Sequence, residues 1–232
     1  MKKICQALMG SDIFRDLSED VIRKELIPYV QVRDVPRGNP LICFQAACSE
    51  FGVILKGRIA VEYVNPGGKW ETMNILGPGD YVGMELGFTE SRISPFLAIA
   101  TQNSRVVTLP VQLVLKPGLL TEPTRQQLVQ NILLFMANEN VKKEYRISIL
   151  FQRSLREKIM AYLTTQSKQQ HANPVTIPFN RTELASYLCI NRTCLSRELR
   201  LMEQEGIVSV EHNTFTLLRG ISSNPVHTCL DK

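Results

Sequence analysis

Between residues 31 and 115 the chain alternates short apolar runs with turns that are rich in glycine and proline. The apolar runs contain many β-branched and aromatic residues and have the sequences GVILKG, RIAVEYV, TMNIL, FLAIA and RVVTLP. The turns have the sequences PRGNP, NPGG and LGPGD, in which glycine is suited to positive φ angles. Many short strands at close spacing, separated by such turns, predict an antiparallel β-barrel or β-roll.

A short helical region is predicted upstream of these strands. Ser18 is a suitable N-cap for a helix whose apolar positions Val21, Ile22 and Leu26 face inward. Pro28 is expected to stop this helix, because proline lacks the backbone N–H that a helix interior needs. We assign the helix to the same domain as the predicted β-roll.

From Thr121 to about Phe151 the hydrophobic pattern changes to that of one long helix. Its positions recur at alternating spacings of four and three, which is a heptad seam, and they are Val129, Leu133, Met136, Asn140, Lys143, Ile147 and Leu150. The polar residues in the middle weaken such a seam but fix its register. Part of the helix is expected to pack on its own β-roll, and the remaining apolar face predicts pairing with a second copy.

The stretch from Arg181 to Gly206 predicts two short helices joined by a tight turn. Asn180 can cap the first helix, and Glu183, three residues on, completes a capping box. The turn runs from Cys189 to Asn191, and the asparagine can cap the second helix. This arrangement predicts a helix-turn-helix.

The second of these helices has two chemically different faces. Leu195, Leu199 and Met202 lie at helical spacing on one face. The opposite face carries arginines and hydroxyls, namely Arg192, Thr193, Ser196, Arg197 and Arg200. Such a helix suits the major groove of DNA, where arginine can bind guanine O6 and N7 through two hydrogen bonds. A solvated charged helix on a bundle is the simpler alternative, but the paired helices and the turn spacing favour DNA binding.

Flanking segments complete a winged domain around the helix-turn-helix. A hinge is predicted at Gln152 and Arg153, and a short strand is predicted from Pro174 to Phe179. After Gly206 the sequence IVSVEHNTFTLL alternates around His212, which predicts a wing hairpin with the histidine in its loop.

Composition and charge narrow the class of protein. The chain has 232 residues, enough for about two domains, and its 44% hydrophobic and 21% charged residues are typical of a soluble globular protein. The formal net charge of +5 permits a polyanionic partner. No apolar run approaches the ~18 residues of a membrane span, and the start MKKICQALMG lacks the apolar stretch of a signal peptide. We therefore expect a cytoplasmic protein with no membrane partner.

Neither a metal or cofactor site nor an enzyme active site is predicted. The six cysteines contain no CxxC pair and are expected to be reduced in the cytoplasm, so a structural zinc site is not expected. His171, His212 and His227 all lie in the carboxy-terminal third, so the β-rich half lacks the histidines of a haem or cupin-type metal site. It also lacks paired acids and a base-activated nucleophile.

The helix-turn-helix closely resembles that of the cyclic-AMP receptor protein and fumarate-nitrate regulator (CRP/FNR) family of bacterial transcription factors. The resemblance rests on R-x-E-L-A-x-Y-L in the first helix, R-x-x-L-S-R-x-L in the second, and the ending EQEGI. It implies base readout by Arg192, Ser196 and Arg197. Two positions depart from the family pattern: Thr193 replaces a usual glutamate, and Cys189 replaces a usual glycine of the turn.

In outline the resemblance extends over nearly the whole chain. It implies an α+β protein with an amino-terminal antiparallel β-roll of the cyclic-nucleotide-binding type (1–118), a dimerisation helix (119–151) and a winged helix-turn-helix (152–232). The implied function is that of a homodimeric transcription regulator bound to two-fold symmetric promoter DNA. RNA polymerase would be a further partner of an activator.

The effector cassette of the family is only partly present. Gly83 ends the family's G-D-Y-V-G segment and is followed by Met84 and Glu85, but the glutamate that would meet a ribose is displaced by one position. Arg92 and Ser94 lie near the place of the phosphate-binding arginine and serine, with the arginine out of register. Because a buried phosphate needs a charged partner, we expect an effector other than cyclic AMP, and these five residues are its candidate contacts.

Two alternatives stay open for the control of such a regulator. One is this unidentified small-molecule effector in the β-roll. The other is a ligand-independent regulator, constitutive or controlled by thiol oxidation at Cys43 and Cys48 or at Cys189 and Cys194. The simpler interpretation of each cysteine, which we favour, is a small buried apolar side chain. An iron–sulfur form is not expected, because only Cys5 lies in the amino-terminal region where such ligands cluster.

Overall fold

A computed structural model describes residues 2–218 of the chain. Residues 219–232, which include His227 and the end of the predicted third domain, lie outside this range. The chain divides into two compact units, Met1–Lys142 and Lys143–Lys232, and the boundary between them falls within the long helix. Within residues 2–218, no helix combines the length and the apolar character needed to cross a bilayer.

The first unit begins with short helical segments. They are α1 (Lys2–Met9), a 3-10 turn (Asp12–Phe14), α2 (Glu19–Val21), a π-helical turn (Ile22–Leu26) and a second 3-10 turn (Ile27–Tyr29). The predicted cap is confirmed, because the Val21 amide donates to Ser18 Oγ over 3.3 Å. The helical region ends at Tyr29, one residue beyond the expected stop at Pro28. Pro28 lies inside the second 3-10 turn, at a first-turn position where its missing N–H is not needed.

Eight strands follow in the first unit, and they confirm the predicted antiparallel β-roll. They are β1 (Gln31–Val35), β2 (Pro40–Ile42), β3 (Glu50–Lys56), β4 (Ile59–Val64), β5 (Trp70–Leu76), β6 (Tyr81–Val82), β7 (Leu97–Ala100) and β8 (Ser104–Pro110). One four-stranded sheet has the order β1-β8-β3-β6 and the other has the order β2-β7-β4-β5. Two short helices, α3 (Met84–Gly87) and α4 (Gln112–Leu115), flank the last strands.

Successive side chains of β3 point to opposite faces of its sheet and so contribute to two different apolar cores in this unit. Phe51 and Val53 belong to a core shared with the helical segments. Ile54 points to the opposite side, into a core between the sheets that also contains Val106 and Phe96. The period of two in a β-strand explains how one strand serves both cores.

The long helix α5 spans Glu122–Leu150, 29 residues, and its first half is fixed to the first unit. Leu128 and Ile132 are buried in the core shared with the helical segments. Between them, the buried Asn131 amide donates to the carbonyl oxygens of Ile13 (3.0 Å) and Arg15 (2.8 Å). Because a displaced amide would leave these buried groups unpaired, the contact fixes the position of α5 on this unit.

Other apolar residues of α5 face outward. Leu133 is 67% exposed, Leu134 54% and Val141 51%, although each is large and apolar. Met136, which belongs to the predicted seam, is partly buried against the first unit's core. The exposed apolar surface of α5 therefore includes residues outside the predicted heptad positions.

The second unit contains a helix-turn-helix and a three-stranded sheet. Its elements after α5 are α6 (Leu155–Gln170), β9 (Val175–Thr176), α7 (Arg181–Tyr187), α8 (Arg192–Gln204), β10 (Val208–Glu211) and β11 (Thr214–Leu217). The sheet has the order β10-β11-β9. Leu163, Leu184, Leu195 and Phe215 are fully buried in one core, to which α5 contributes Ile149.

Two glycines of the roll permit a matched test of packing. Gly57 and Gly79 both have φ of +92°, but a Cβ at Gly57 would lie 2.6 Å from Ser104 Cα and 2.8 Å from Asn103 O, whereas open space surrounds Gly79. Gly79→Ala should cost only the left-handed conformation, about 1–2 kcal/mol. Gly57→Ala should cost about 1–3 kcal/mol more, because backbone must also move. Urea unfolding would measure both, and equal losses would contradict the steric argument.

Candidate DNA-binding surface and effector pocket

Side-chain caps hold the two helices of the helix-turn-helix in place. Asn180 Oδ1 accepts from the amides of Thr182 (2.9 Å) and Glu183 (3.0 Å), and Glu183 Oε2 accepts from the Asn180 amide (2.9 Å). The predicted capping box is therefore present. Asn191 Oδ1 accepts from the Thr193 amide over 2.8 Å at the start of α8. In the turn, Cys189 has φ of +54°, the left-handed conformation that glycine would adopt more readily.

Helix α8 presents the predicted polar face outward. Leu195, Leu199 and Met202 are buried on its inner side. All five predicted DNA contacts are exposed, namely Arg192, Thr193, Ser196, Arg197 and Arg200. Among residues 2–218, none of the three arginines forms an ion pair, so their guanidinium groups are available to phosphates or bases.

An ion-pair cluster joins α8 to α6. Arg156 Nε lies 2.7 Å from Glu198 Oε1, and its Nη1 and Nη2 lie 2.6 and 2.9 Å from the two carboxylate oxygens of Glu205. The hydrogen bonds to Glu205 and Glu198 raise the pKa of Arg156 above its ordinary value. Arg156 thereby pairs with two carboxylates, one on α8 and one at its carboxy-terminal cap, and offsets one of their two negative charges. Sequence reasoning missed it, although Glu198 and Glu205 are seven residues apart and so share one side of an otherwise basic segment.

The carboxy-terminal end of α5 is fixed to the helix-turn-helix. Arg146 Nε donates to the Tyr187 carbonyl over 3.2 Å, and its guanidinium carbon lies 4.8 Å from the centre of the Tyr187 ring. That ring also packs against Tyr162 and Phe179, with ring centroids 5.2 and 5.1 Å apart. The last turns of α5 and the first helix of the motif therefore form one packed body within the second unit.

The predicted wing is present. Strands β10 and β11 pair antiparallel from Val208 opposite Leu217 to Glu211 opposite Thr214. His212 lies in the connecting turn with φ of +56°, and Asn213 Nδ2 donates to the Ile177 carbonyl over 3.1 Å. The histidine is thus a loop residue.

The five cassette residues predicted to contact an effector have different environments. Gly83 precedes α3 with φ of +76°. Met84 is 1% exposed and packs in the core shared with the helical segments, and Ser94 is fully buried with its hydroxyl donating to the Phe96 carbonyl over 2.7 Å. Packing and an internal hydrogen bond therefore occupy the side chains of Met84 and Ser94. Glu85 is exposed and Arg92 is half-buried.

A cavity of about 250 Å³ in the β-roll adjoins the cassette. The Ser94 amide donates to the carbonyl of the lining residue Ala46 (2.9 Å), and the amide of the lining residue Cys48 donates to the Arg92 carbonyl (2.8 Å). Its lining consists of Arg33, Leu41, Ile42, Cys43, Ala46, Ala47, Cys48, Ser49, Glu50, Gly52, Val82 and Thr108. Arg33 Nη2 lies 2.6 Å from Glu50 Oε2. Sequence reasoning did not select this pair, because the two residues belong to different strands and neither lies in the cassette.

Two cysteines line the same cavity. Cys43 is exposed, whereas Cys48 is 8% exposed and its thiol lies 3.2 Å from the Glu50 carbonyl oxygen. Burial raises the pKa of the Cys48 thiol. A raised pKa favours the protonated form, which is the less nucleophilic form of cysteine.

Two family models match the chain. One describes a cyclic nucleotide-binding domain and matches residues 32–116, and the other describes a Crp-like helix-turn-helix domain and matches residues 157–219. With the roll and the winged helix described above, these matches define a DNA-binding transcription regulator. The chain belongs to the CRP/FNR family, which is a family of transcription regulators and not of enzymes.

Individual relatives agree with this assignment. The chain is 23% identical over 208 residues to the cyclic AMP receptor protein of Thermus thermophilus, with coverage of 89% of this chain and 92% of that protein. It is 26% identical over 215 residues to a probable transcriptional regulator, flp, of Lacticaseibacillus casei, with coverage of 90% and 91%. The solved structure of the c-di-GMP-responsive global regulator CLP of Xanthomonas campestris has a TM-score of 0.61 at 16% identity, covering 88% of this chain and 100% of that chain. The structural likeness shows a shared fold.

The Arg156 cluster gives a testable prediction about α8. Arg156→Gln should weaken binding to a specific DNA site severalfold, because α8 loses this ion-pair contact with α6 and the carboxylates of Glu198 and Glu205 lose their compensating charge. Lys168→Gln removes the same charge from an exposed position of α6 and serves as the control. Fluorescence anisotropy with labelled DNA would compare the two variants. Equal affinities would show that the cluster does not support DNA binding.

Proposed function

We propose that the protein is a homodimer that binds a two-fold symmetric promoter site through α8, controlled by a small-molecule effector other than cyclic AMP in the β-roll. The observation that carries the DNA-binding part is the outer face of α8, where arginines and hydroxyls are exposed while the opposite face is buried. Such a regulator would act in the cytoplasm, where promoter DNA lies. If it activates transcription, RNA polymerase would be its further partner.

Within α8, we assign base readout to Arg192, Ser196 and Arg197. Thr193 and Arg200 flank them on the exposed side and would contact bases or phosphate oxygens. Thr193 occupies the position where the family usually has glutamate. We therefore expect the DNA sequence of the preferred half-site to differ from the one most common in the family.

The proposed dimer rests on the outward-facing residues of α5. CRP/FNR regulators bind promoter DNA typically as dimers. Leu133, Leu134 and Val141 are more than half exposed on this helix, and covering them would remove apolar surface from water. We accordingly assign 119–151 to dimerisation, 1–118 to effector sensing and 152–232 to DNA binding.

An effector other than cyclic AMP is supported by the cassette. Met84 and Ser94 are occupied by packing and by an internal hydrogen bond. Arg92 has φ of +52° and its amide donates to Thr89 Oγ1 over 3.1 Å, a local turn and not an extended phosphate-binding segment. Glu85 and Arg92 stay candidate contacts at the edge of the roll.

Thiol control is the second candidate. It is favoured by the placement of Cys43 and Cys48 in one cavity and by the exposure of Cys194 on α8. The raised pKa of Cys48 weighs against it, because the protonated thiol reacts slowly. Measuring DNA affinity after oxidant and after reductant, with Cys43→Ser and Cys194→Ser variants beside the native protein, separates this candidate from the first.

Binding to the promoter region upstream of the protein's own gene is the primary test. The purified, ligand-free protein would be titrated onto that DNA and onto random DNA at several salt concentrations, with the oligomeric state checked in the same samples. A dimer that binds weakly and with little selectivity is the expected result for a regulator that lacks its effector. Tight, selective binding without additions would contradict effector control and favour the ligand-independent alternative.

Arg197→Ala tests base readout. It should cost about 1–3 kcal/mol on the specific site and relax the preference at one base pair, because a guanine loses its two hydrogen bonds. Arg15→Ala is the control, since it removes an exposed arginine that pairs with Asp12 in the first unit. A selection from randomised half-sites would reveal the relaxed position. Equal losses on specific and random DNA would indicate a phosphate contact.

Leu133→Glu tests the dimer surface. A carboxylate at this exposed position should fold normally but raise the dimer dissociation constant about tenfold or more, because it would be buried without a partner in the interface. Lys142→Glu introduces the same group two and a half turns further along, on the opposite side of α5. Sedimentation equilibrium would compare them. Unchanged dimerisation of Leu133→Glu would exclude this face.

A further inference from the structure

The cavity in the β-roll has the composition of a small-molecule site and adjoins the family's cassette without being lined by it: a Cβ on Gly83 would lie 3.1 Å from Sγ of the lining residue Cys48. None of the five predicted effector contacts is among its lining residues. Its volume of about 250 Å³ lies just below the roughly 300–1,000 Å³ of typical ligand pockets. A ligand of this cavity must therefore be smaller than a dinucleotide.

Most of the cavity wall is apolar. Leu41, Ile42 and Val82 contribute branched aliphatic side chains, and Ala46 and Ala47 contribute methyl groups. An aliphatic or aromatic group placed there would gain from leaving water.

Gly52 contributes backbone alone to this wall. A Cβ at position 52 would lie 2.9 Å from both Val106 Cγ1 and Val107 O, so the strand has no room for a side chain there. Thr108 pairs with Gly52 across the sheet, and its hydroxyl is buried with no hydrogen-bond partner among the described residues. This part of the wall therefore combines bare backbone with an unpaired buried hydroxyl.

The charged part of the lining is an ion pair with spare hydrogen-bonding capacity. Arg33 and Glu50 share one hydrogen bond, from Nη2 to Oε2, and their side chains are 43% and 23% exposed. Within residues 2–218 this is the one hydrogen bond that either side chain makes. The guanidinium therefore retains N–H donors, and Glu50 Oε1 retains its acceptor capacity.

The opposite charges of Arg33 and Glu50 limit the class of ligand that the cavity can bind. A simple anion would bring a second negative charge beside Glu50, and a simple cation would bring a second positive charge beside Arg33; like charges at this range repel. A zwitterion can satisfy both groups, with its carboxylate on the guanidinium fork and its ammonium on the free carboxylate oxygen.

We infer that this cavity binds a small zwitterion with an apolar side chain, the chemistry of a free apolar amino acid. Its carboxylate meets Arg33, its ammonium meets Glu50, and its side chain lies along Leu41, Ile42 and Val82. The inference rests on the proposed control of the regulator by a small-molecule effector, and it names the class of that effector.

The position of Glu50 gives a route from this cavity to the neighbouring helix α3. The Glu50 carbonyl oxygen accepts from the Cys48 thiol, and it lies 2.8 Å from where a Cβ on Gly83 would be. Backbone at residues 50 and 83 is therefore in direct contact. A ligand held by the Glu50 side chain is therefore bound to a residue whose backbone contacts Gly83, the residue that precedes α3.

The first experiment compares ligands on the unaltered full-length protein. Isothermal titration calorimetry would use L-leucine, 4-methylpentanoate (which lacks the ammonium) and 3-methylbutylamine (which lacks the carboxylate), with glycine as the ligand without a side chain. L-Valine, L-methionine and L-phenylalanine would extend the series to other side-chain shapes. At least one apolar amino acid should bind about tenfold or more tightly than both of its one-charge analogues and glycine. Equal or tighter binding of the acid or the amine alone, or no binding of any amino acid at millimolar concentration, would overturn the inference.

Variants then locate the site. Arg33→Met and Glu50→Gln should each weaken binding of the best amino acid about tenfold or more. Ala46→Leu should block it by filling the cavity. Arg105→Met is the matched control, because Arg105 pairs with Asp34 in the same sheet outside the cavity lining. Unchanged affinity in Arg33→Met, or an equal loss in Arg105→Met, would contradict the assigned site.

DNA binding separates this inference from the proposed function. If the protein binds a specific DNA site selectively and the bound amino acid changes its affinity for that site, the results support both the proposed function and the effector class. Selective DNA binding that no amino acid alters would overturn the effector class and leave the regulator intact. Amino acid binding by a dimer with no DNA selectivity would leave the cavity assignment intact and overturn the proposed function.

Discussion

The packing of α5 is the constraint on which the rest of the structure depends, because one helix meets three environments. Its first half is fixed by the buried amide of Asn131 and by Leu128 and Ile132 in the first unit. Its last turns place Ile149 in the second unit's core and Arg146 on Tyr187. Leu133, Leu134 and Val141, which belong to neither core, face outward although they are apolar. Because the buried side changes along the helix, no single repeat describes it.

This change of environment explains where sequence reasoning succeeded and where it failed. Caps, turns and alternation are local, so the capping box at Asn180, the cap at Asn191 and the wing around His212 could all be predicted within a few residues. The strands of the roll were predicted for the same reason. The seam of α5 could not be resolved, since a heptad pattern does not tell which apolar positions face the protein's own roll and which face outward.

The candidate sites were limited by sequence distance. The exposed face of α8 follows from helical periodicity alone, so its five residues were predictable. Arg156 contacts acids more than forty positions away, and Arg33 contacts an acid on another strand. The sequence pattern of a single helix or strand cannot predict ion pairs between residues of different elements. The prediction of effector contacts in the cassette was limited for a different reason. The family motif placed Met84 and Ser94 at a binding site, but in this chain Met84 packs in a core and the Ser94 hydroxyl donates to the Phe96 carbonyl.

The two units also differ in how their charges are used. In the second unit, Arg156 pairs with the acids Glu198 and Glu205, while the arginines on the outer face of α8 are exposed. In the first unit, Arg33 and Glu50 place opposite charges together in a cavity whose other walls are mostly apolar. The first arrangement suits a polyanion, whereas the second suits a small molecule that carries both charges.

The pairing of β1 has a consequence for the order in which the chain can fold during synthesis. Among the strands that the structure describes, its one neighbour in the sheet is β8, with Gln31 opposite Thr108, so its partner is made about 77 residues later. At roughly 5–20 residues per second, the ribosome needs roughly 4–15 s to supply it. Throughout that interval β1 has an unpaired edge, and the first unit cannot close. In the second unit the longest of these separations is shorter, because α6 contacts Glu198 and Glu205, 42 and 49 residues later, and α7 contacts the adjoining α8.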